Sequence, residues 1–305
     1  MPELTPGKFE IIGYKKEDIN KITRPAISYW QDAWRRLKKN PIAMVSIAVL
    51  IVMVIMVIAG PMIRGYDYVT MNVAQKNLTP SSKYWFGTDN LGRDLFSRIW
   101  AGARASIMIA IVATALKLVF GTLYGALMAH FGGWADEVLM RIIEVINSIP
   151  SLLITILIMM VLGNSLFSLL VALSITAWCN TARQVRGMIK QLRESEYVYA
   201  AEVLGAKPVR IIFKHYIPNM LGILILDAST AIPGFIFTEA GLSFLGIGLK
   251  SPAISLGVLI SMGQQSMDFY PYQLFFPCLL LCIIVMAFNL LGDGLRDALD
   301  PKLRQ

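Results

Sequence analysis

The stretch PIAMVSIAVLIVMVIMVIAGPMI, residues 41–63, decides the fold. Its 22 uncharged residues at 42–63 span about 33 Å as a helix rising about 1.5 Å per residue. That length crosses a hydrocarbon core of about 30 Å. Composition points the same way: of 305 residues, 56% are hydrophobic and 16% charged, with mean hydropathy +0.59. A soluble domain of this length needs a more charged surface. The chain reads as an all-α integral membrane protein.

Working outward, five further apolar runs complete a set of six spans: 42–63, 106–129, 138–162, 166–183, 219–246 and 272–292. Gly, Pro or single charges interrupt some of them, which spanning helices tolerate when neighbouring protein satisfies the freed groups. The net charge of +8 matters here through its distribution, because Lys and Arg set orientation. They number nine in 1–41, six in 184–218 and three in 293–305, with Arg141 and Arg183 at span ends on the same side. The opposite side carries Arg64, Lys76, Lys83, Arg93, Arg98, Arg104 and Lys250. This bias favours both termini inside. The first 41 residues hold no apolar run with a small-residue cleavage site, so no removable signal peptide is expected.

Before the first span lies SYWQDAWRRLKKNP, 28–41. Tyr29, Trp30, Ala33, Trp34 and Leu37 share one helical face, while Arg35, Arg36, Lys38 and Lys39 crowd the other. An interfacial amphipathic helix and an ordinary juxtamembrane stop signal both suit that pattern, and both place it on the inner side. In the loop after the first span, Asp89, Asp94, Arg93 and Arg98 are expected to pair and to cap the helix that follows rather than to form a cation site. Cys179, Cys278 and Cys282 fall inside apolar runs. Two thiols four residues apart without other ligands do not make a metal site, so packing is expected.

One polar stretch interrupts the apolar pattern on the inner side: EYVYAAEVLGAKPVRIIFKHYIPN, 196–219. Gly205 is expected to end a first helix near Leu204, where left-handed backbone costs glycine nothing. Pro208 suits the first turn of a second helix. Val209, Ile212, Phe213 and Tyr216 then recur at helical spacing as one apolar stripe, and Pro218 closes the unit before the fifth span. The small Ala200 and Ala201 permit close approach. The six Lys and Arg residues of 184–218 are not gathered on one recognition helix, and both ends are tied to spans, which argues against DNA. A short apolar helix on the inner face calls for a groove on a partner protein.

At these residues the chain resembles the permease subunits of bacterial ABC importers. Their inner loop carries Glu-Ala-Ala, three residues, Gly, nine residues, Ile, one residue and Leu-Pro. Ala200, Ala201, Gly205 and Pro218 match at that spacing, Ile217 replaces the Leu, His215 stands at the Ile, and Tyr199 stands at the Glu with Glu202 nearby. The similarity extends to FGTDNLGRDLFSRIWAGARAS (86–106), FGGWADEVLMRIIEVINSIPSLL (131–153), FTEAGLSFLGIGLKSP (237–252) and NLLGDGLRDALDPKLR (289–304). These look like the C-type subunit of oligopeptide and dipeptide permeases, over most of 28–304.

The resemblance implies a type I importer transmembrane domain in the bacterial plasma membrane, N-in and C-in. It implies a non-catalytic half-channel for oligopeptides or dipeptides. The implied partners are a homologous permease chain, two P-loop ATPases and an extracytoplasmic peptide-binding lipoprotein. No GxxxxGK[ST] motif occurs, so no cofactor is expected on this chain, and ATP and Mg²⁺ would sit on the ATPases. The implied ATPase-docking residues are Tyr199, Ala200, Ala201, Glu202, Gly205, Ala206, Val209, Ile212, Phe213, His215 and Pro218. The organisation then reads as an inner tail with the amphipathic helix at 1–41, a first span and outer loop at 42–103, a five-span core at 104–293 with coupling helices at 190–218, and an inner tail at 294–305.

Charges within spans are expensive and need a reason. Arg141 and Glu144, three apart, most simply pair with each other. Lys117, Asp227 and Glu239 are expected either to pair across helices or to line a water-filled path. Two alternatives stay open: a secondary transporter driven by an ion gradient, to which Asp227 and Glu239 fit loosely, and an ABC permease for nickel or another small solute.

Overall fold

The computed structural model describes residues 29–63, 65, 67–250 and 253–299. The expectations for 1–28, and for 251–252 and 300–305 within the quoted motifs and tail, lie outside these residues. Among the described residues, five helices are long and apolar enough to cross a membrane, or six if one bent pair counts as a span.

Helix α1 (Tyr29–Lys39) turns Ala33 and Leu37 inward and leaves Trp30 and Trp34 exposed beside Arg35, Lys38 and Lys39. Asn40 then caps α2 (Pro41–Ile63): its side-chain oxygen accepts from the N–H groups of Ile42 and Ala43 at 3.1 and 3.2 Å. Leu37 and Ala43 pack with Ala298 near the C-terminal end of α11 (Tyr272–Leu299). The Tyr29 hydroxyl donates to the Leu299 carbonyl at 3.4 Å. The amphipathic helix and the last span therefore meet at one end of the bundle.

Pro61 lies inside α2 and has no N–H for the Val57 carbonyl four residues earlier. Arg104 of α3 (Leu95–Phe131) fills that place, donating from Nε and Nη2 to the Val57 oxygen at 3.1 and 2.9 Å. A cation inside a span is thus employed on a freed carbonyl. Arg104→Met should destabilise the chain by about 1–3 kcal/mol, the cost of an unmet buried acceptor. Unfolding in detergent checks this, and Pro61→Ala, which returns the N–H, should remove most of the loss. Equal losses with and without Pro61 would disprove the assignment.

At the other end, the loop before α3 is held as its residue types anticipate. Asp94 caps α3, accepting from the Ser97 N–H at 2.8 Å. Asp89 takes Arg93 at 2.7 Å and Arg98 at 3.3 Å. Tyr272 and Gln273 of α11 donate to the Thr88 carbonyl at 3.2 and 3.0 Å, fastening the loop to the last span.

The central pair is α3 against α6 (Leu166–Arg193), with α9 (Ile217–Phe244) and α2 packed on α3, and α11 on α2 and α9. Three expectations need correction. The third span, 138–162, is not one helix: α4 (Gly133–Ser148) and α5 (Ser151–Leu162) meet at 81°. Pro150 is the cause, because a residue before proline is pushed out of helical backbone, and Ile149 sits at φ −96°, ψ 130°. Secondly, the fifth span does not begin after Pro218. The unit α8 (Pro208–Ile211), a π turn (Ile212–Tyr216) and α9 form one helix running from Pro208 to Phe244. The π turn widens the backbone ahead of Pro218, whose ring would clash with the carbonyl four residues before it in a regular helix. Thirdly, the second and fourth spans are longer than 106–129 and 166–183, as the bounds of α3 and α6 show.

A further helix, α10 (Leu256–Gln265), lies between the last two spans where none was expected. Ser255 caps it, and it packs on α9, α11 and α3.

Candidate functional site

The polar stretch forms a compact corner. Helix α7 (Glu196–Val203) ends where glycine was expected to end it. Gly205 has φ +77°, its N–H donates to the Glu202 carbonyl at 2.9 Å, and Ala206 N–H returns to the Ala201 carbonyl at 3.0 Å. This paired closure satisfies the last carbonyls of the helix and aims the chain into α8.

The corner is anchored from below. Val198, Ile211, Ile212, Tyr216 and Met220 bury against Ala126 and Ala129 of α3 and Val185 and Ile189 of α6, with Ala206 packed alongside. The expected single stripe therefore splits. The π turn shifts the register, so Ile212 and Tyr216 go inward while Val209 and Phe213 face out.

The outward surface is unusually apolar for a polar stretch. Leu204 is 87% exposed and Val203 70%, with Tyr199, Val209 and Phe213 exposed beside them. Ala200, Gly205 and Pro218 are exposed, and Ala201, Glu202 and His215 half-buried. Val209, Phe213 and Pro218 line a surface hollow of about 710 Å³ with Lys207, Arg210 and Lys214. Ten of the eleven expected docking residues are thus exposed or half-buried on one corner. Ile212 is buried, and Ala206 also packs against the cluster beneath. An apolar tip on a helix pair rooted in the core can receive a partner and pass its movement to α3, α6 and α9.

The intramembrane charges sort into different places. Lys117 of α3 donates to Asp227 of α9 at 2.6 Å, and Thr181 of α6 donates to the other oxygen of that carboxylate at 2.7 Å. Of the two roles open to them, the structure shows the pair across helices. Arg141 and Glu144 bond at 2.7 Å on the surface of α4, with side chains 72% and 45% exposed, where such a pair is worth little.

Glu239 is met by hydroxyls rather than by an ion pair. It pairs with no cation among the described residues and lies buried in this chain, accepting from Ser106 at 2.8 Å, Ser243 at 2.9 Å and Ser255 at 2.6 Å. These serines come from α3, α9 and the cap of α10, so the carboxylate knots three elements. Hydroxyls from separate segments can satisfy a buried acid as well as a cation can.

One feature escaped the sequence reading. A cavity of about 430 Å³ lies between the α4–α5 bend, α6 and α9, lined in part by Asn147, Ser151, Thr176, Asn180 and Arg183. The start of α4 is tied to the end of α6 near the corner: Arg186 and Lys190 both donate to Asp136, from Arg186 Nη2 at 2.6 Å and from Lys190 at 2.9 Å. The bend that walls the cavity is thereby linked to the helix beneath the corner.

Comparison with known proteins bears on this geometry. Residues 121–305 match the family model of the binding-protein-dependent transport system inner membrane component. Residues 28–80 match the N-terminal transmembrane domain of oligopeptide transport permease C. The chain is 44% identical to the oligopeptide transport system permease protein OppC of Bacillus subtilis (strain 168), covering 100% of both chains. It is 42% identical to the dipeptide transport system permease protein DppC of the same organism, over 95% of this chain and 91% of that one. Among solved structures, an inward-facing form of the MetNI methionine ABC transporter aligns with TM-score 0.50 at 21% identity, over 67% of this chain and 95% of that chain. That last likeness concerns the fold alone.

Proposed function

The chain belongs to the family of binding-protein-dependent transport system inner membrane components, and from that premise we propose how its geometry serves import. It is a permease subunit of an ABC importer, a multi-pass protein of the bacterial plasma membrane. Such a subunit works with ATPase and binding-protein components. Family membership sets aside the ion-gradient alternative. The relatives' names, which specify oligopeptide and dipeptide transport, favour peptide over nickel as the solute.

In our reading the chain forms half of the path for oligopeptides or dipeptides, beside a homologous permease chain. It is non-catalytic; two P-loop ATPases hydrolyse ATP, and an extracytoplasmic lipoprotein delivers peptide. Both termini face inward, in keeping with the Lys and Arg distribution and with α1 and the end of α11 meeting at one end of the bundle. The division follows the sequence: an inner tail to 41, a first span and outer loop to 103, the permease core at 104–293 with coupling helices at 190–218, and an inner tail from 294.

The observation that carries the coupling role is the exposed apolar tip of Val203, Leu204, Val209 and Phe213 on a corner rooted in the core. In water such a tip is best explained by a partner's groove. Residues Tyr199, Ala200, Ala201, Glu202, Gly205, Ala206, Val209, Ile212, Phe213, His215 and Pro218 form or support that contact. Tyr199, placed where the family motif has glutamate, brings an exposed ring rather than a charge.

Ala201→Arg adds bulk and charge at the contact and should abolish copurification of the ATPase and ATP-dependent peptide uptake. Gly205→Val meets no neighbour within 4 Å, so its penalty is backbone strain of about 1–3 kcal/mol at positive φ, misaiming the tip. Both chains should reach the membrane at parental abundance, because no span is altered. An Ala201→Arg chain that holds its ATPase and transports at the parental rate would remove the docking assignment.

A further inference from the structure

We propose that the cavity between the α4–α5 bend, α6 and α9 is a compartment for the carboxylate end of a peptide, with Arg183 as the group that takes it. This rests on the peptide reading above and adds a site to it. The volume of about 430 Å³ falls in the range of ligand pockets, roughly 300–1,000 Å³.

Its lining differs from the lipid-facing surface and from the packed core. Asn147, Ser151, Thr176 and Asn180 offer amide and hydroxyl groups, and none of these side chains hydrogen-bonds elsewhere among the described residues. Asn147, Ser151 and Asn180 are exposed and Thr176 is half-buried, and unpartnered polar groups on spanning helices call for water or a polar solute. A peptide backbone presents the complementary donors and acceptors.

Arg183 sets the sign. The cavity lining holds this guanidinium and no carboxylate. Four other cations of the spanning helices are engaged: Lys117 by Asp227, Arg186 and Lys190 by Asp136, and Arg104 by the Val57 carbonyl. Arg183 makes no ion pair among the described residues. A second feature of the same wall agrees. Helix α5 begins at Ser151 with no side-chain cap on its first N–H groups, and the N-terminal end of a broken spanning helix favours an anionic solute group. The 81° bend is what brings that helix end to the cavity instead of leaving it inside a continuous span. A free ammonium finds no counter-charge here. The compartment therefore receives a zwitterionic peptide carboxylate first.

The test uses the whole importer, with binding protein and ATPases, in proteoliposomes. The probes are two tripeptides with neutral side chains, one carrying a benzophenone at its C-terminal residue and one at its N-terminal residue. Illumination during turnover should place C-terminal adducts on 147–151 and 176–183, several-fold above the N-terminal probe. Arg183→Gln should cut that yield and the uptake rate about tenfold, the scale of a lost charge-assisted hydrogen bond, and Arg183→Lys should restore much of both. Arg183 is exposed in the chain, so membrane abundance and ATPase copurification should stay parental in both variants. Uptake that proceeds with adducts elsewhere, with no bias between the probes, or with Arg183→Gln equal to the parent overturns the carboxylate site and leaves the import reading intact. A parental complex that takes up no peptide at all strikes the import reading itself and this site with it.

Discussion

Lys117→Met is expected to lower the yield of folded chain severely, by about 3–5 kcal/mol of stability, because it strands Asp227 inside the bundle. The lysine ammonium lies 2.6 Å from one oxygen of that carboxylate, and the two side chains are only 12% and 16% exposed. Thr181 would remain as donor to the other oxygen at 2.7 Å, but one hydroxyl does not neutralise a charge at this depth. The pair joins α3 to α9, and Thr181 brings in α6. Its loss therefore loosens three helices that carry the corner at 196–218. Methionine keeps the length and apolar stem of lysine, so the effect isolates the charge.

The matching double variant, Lys117→Met with Asp227→Leu, should recover most of the stability, since replacing both partners of a buried pair is often neutral. Thermal unfolding in detergent and membrane abundance give the comparison. The double variant also separates structure from path. A helix-to-helix fastener predicts that it imports peptide near the parental rate once folded; a folded double variant without import would place the pair in the path after all. A single variant as stable as the parent would show that the lysine reaches solvent and fastens nothing.

How much of this was legible follows from the range of each interaction. The spans were readable because a run such as 42–63 can meet its backbone requirements in lipid as a helix and in few other ways. Local punctuation was equally readable. Asp94 before Leu95 signals a cap, and Gly205 signals a helix end, because each acts within four residues. The bend at Pro150 had its signal in Ile149–Pro150, yet the apolar composition continues through it. Hydropathy alone sees one span there. The π turn at Ile212–Tyr216 was hidden for a related reason: regular 3.6-residue spacing assigns Val209 and Ile212 to one face, whereas the extra residue per turn separates them. Helix α10 is only Leu256–Gln265, too short to stand out between two spans.

Pairings were legible as requirements and not as partners. Lys117 and Asp227 each needed an answer, and no local pattern connects residues 110 apart. Glu239 needed one too, and its three serines arrive from positions 106, 243 and 255. Serine is common enough in spanning helices that none of the three announces itself. The cavity was least legible, because it exists only where a bend, α6 and α9 fail to fill the space between them.

Gly125→Leu should prevent the bundle from assembling, while Gly187→Ala should be neutral or stabilising. Gly121 and Gly125 are one turn apart on α3 and lie against α6. A Cβ at Gly121 would come within 2.6 Å of the Thr181 Cβ and 2.9 Å of the Trp178 carbonyl oxygen; one at Gly125 would strike the Ala182 carbonyl oxygen and lie 3.0 Å from the Val185 Cβ. Backbone cannot step aside as a side chain can, so the helices must separate. Overpacking of a fixed core costs about 1–3 kcal/mol and more where backbone is struck, and here the struck backbone belongs to the central pair. In lipid, close packing of small residues substitutes for a hydrophobic drive between helices. Separation would also part Thr181 from Asp227 and remove Ala126 and Ala129 from beneath the corner at 196–218. Gly187 is helical on the same α6 with nothing within 4 Å of an added Cβ, so alanine there gains up to about 1 kcal/mol of helix propensity without a clash. Membrane abundance and protease resistance of the two variants, measured side by side, test the contrast. A Gly125→Leu chain as abundant and resistant as the parent would mean that α3 and α6 are not held by glycine contact, and the route from docking corner to span would need another element.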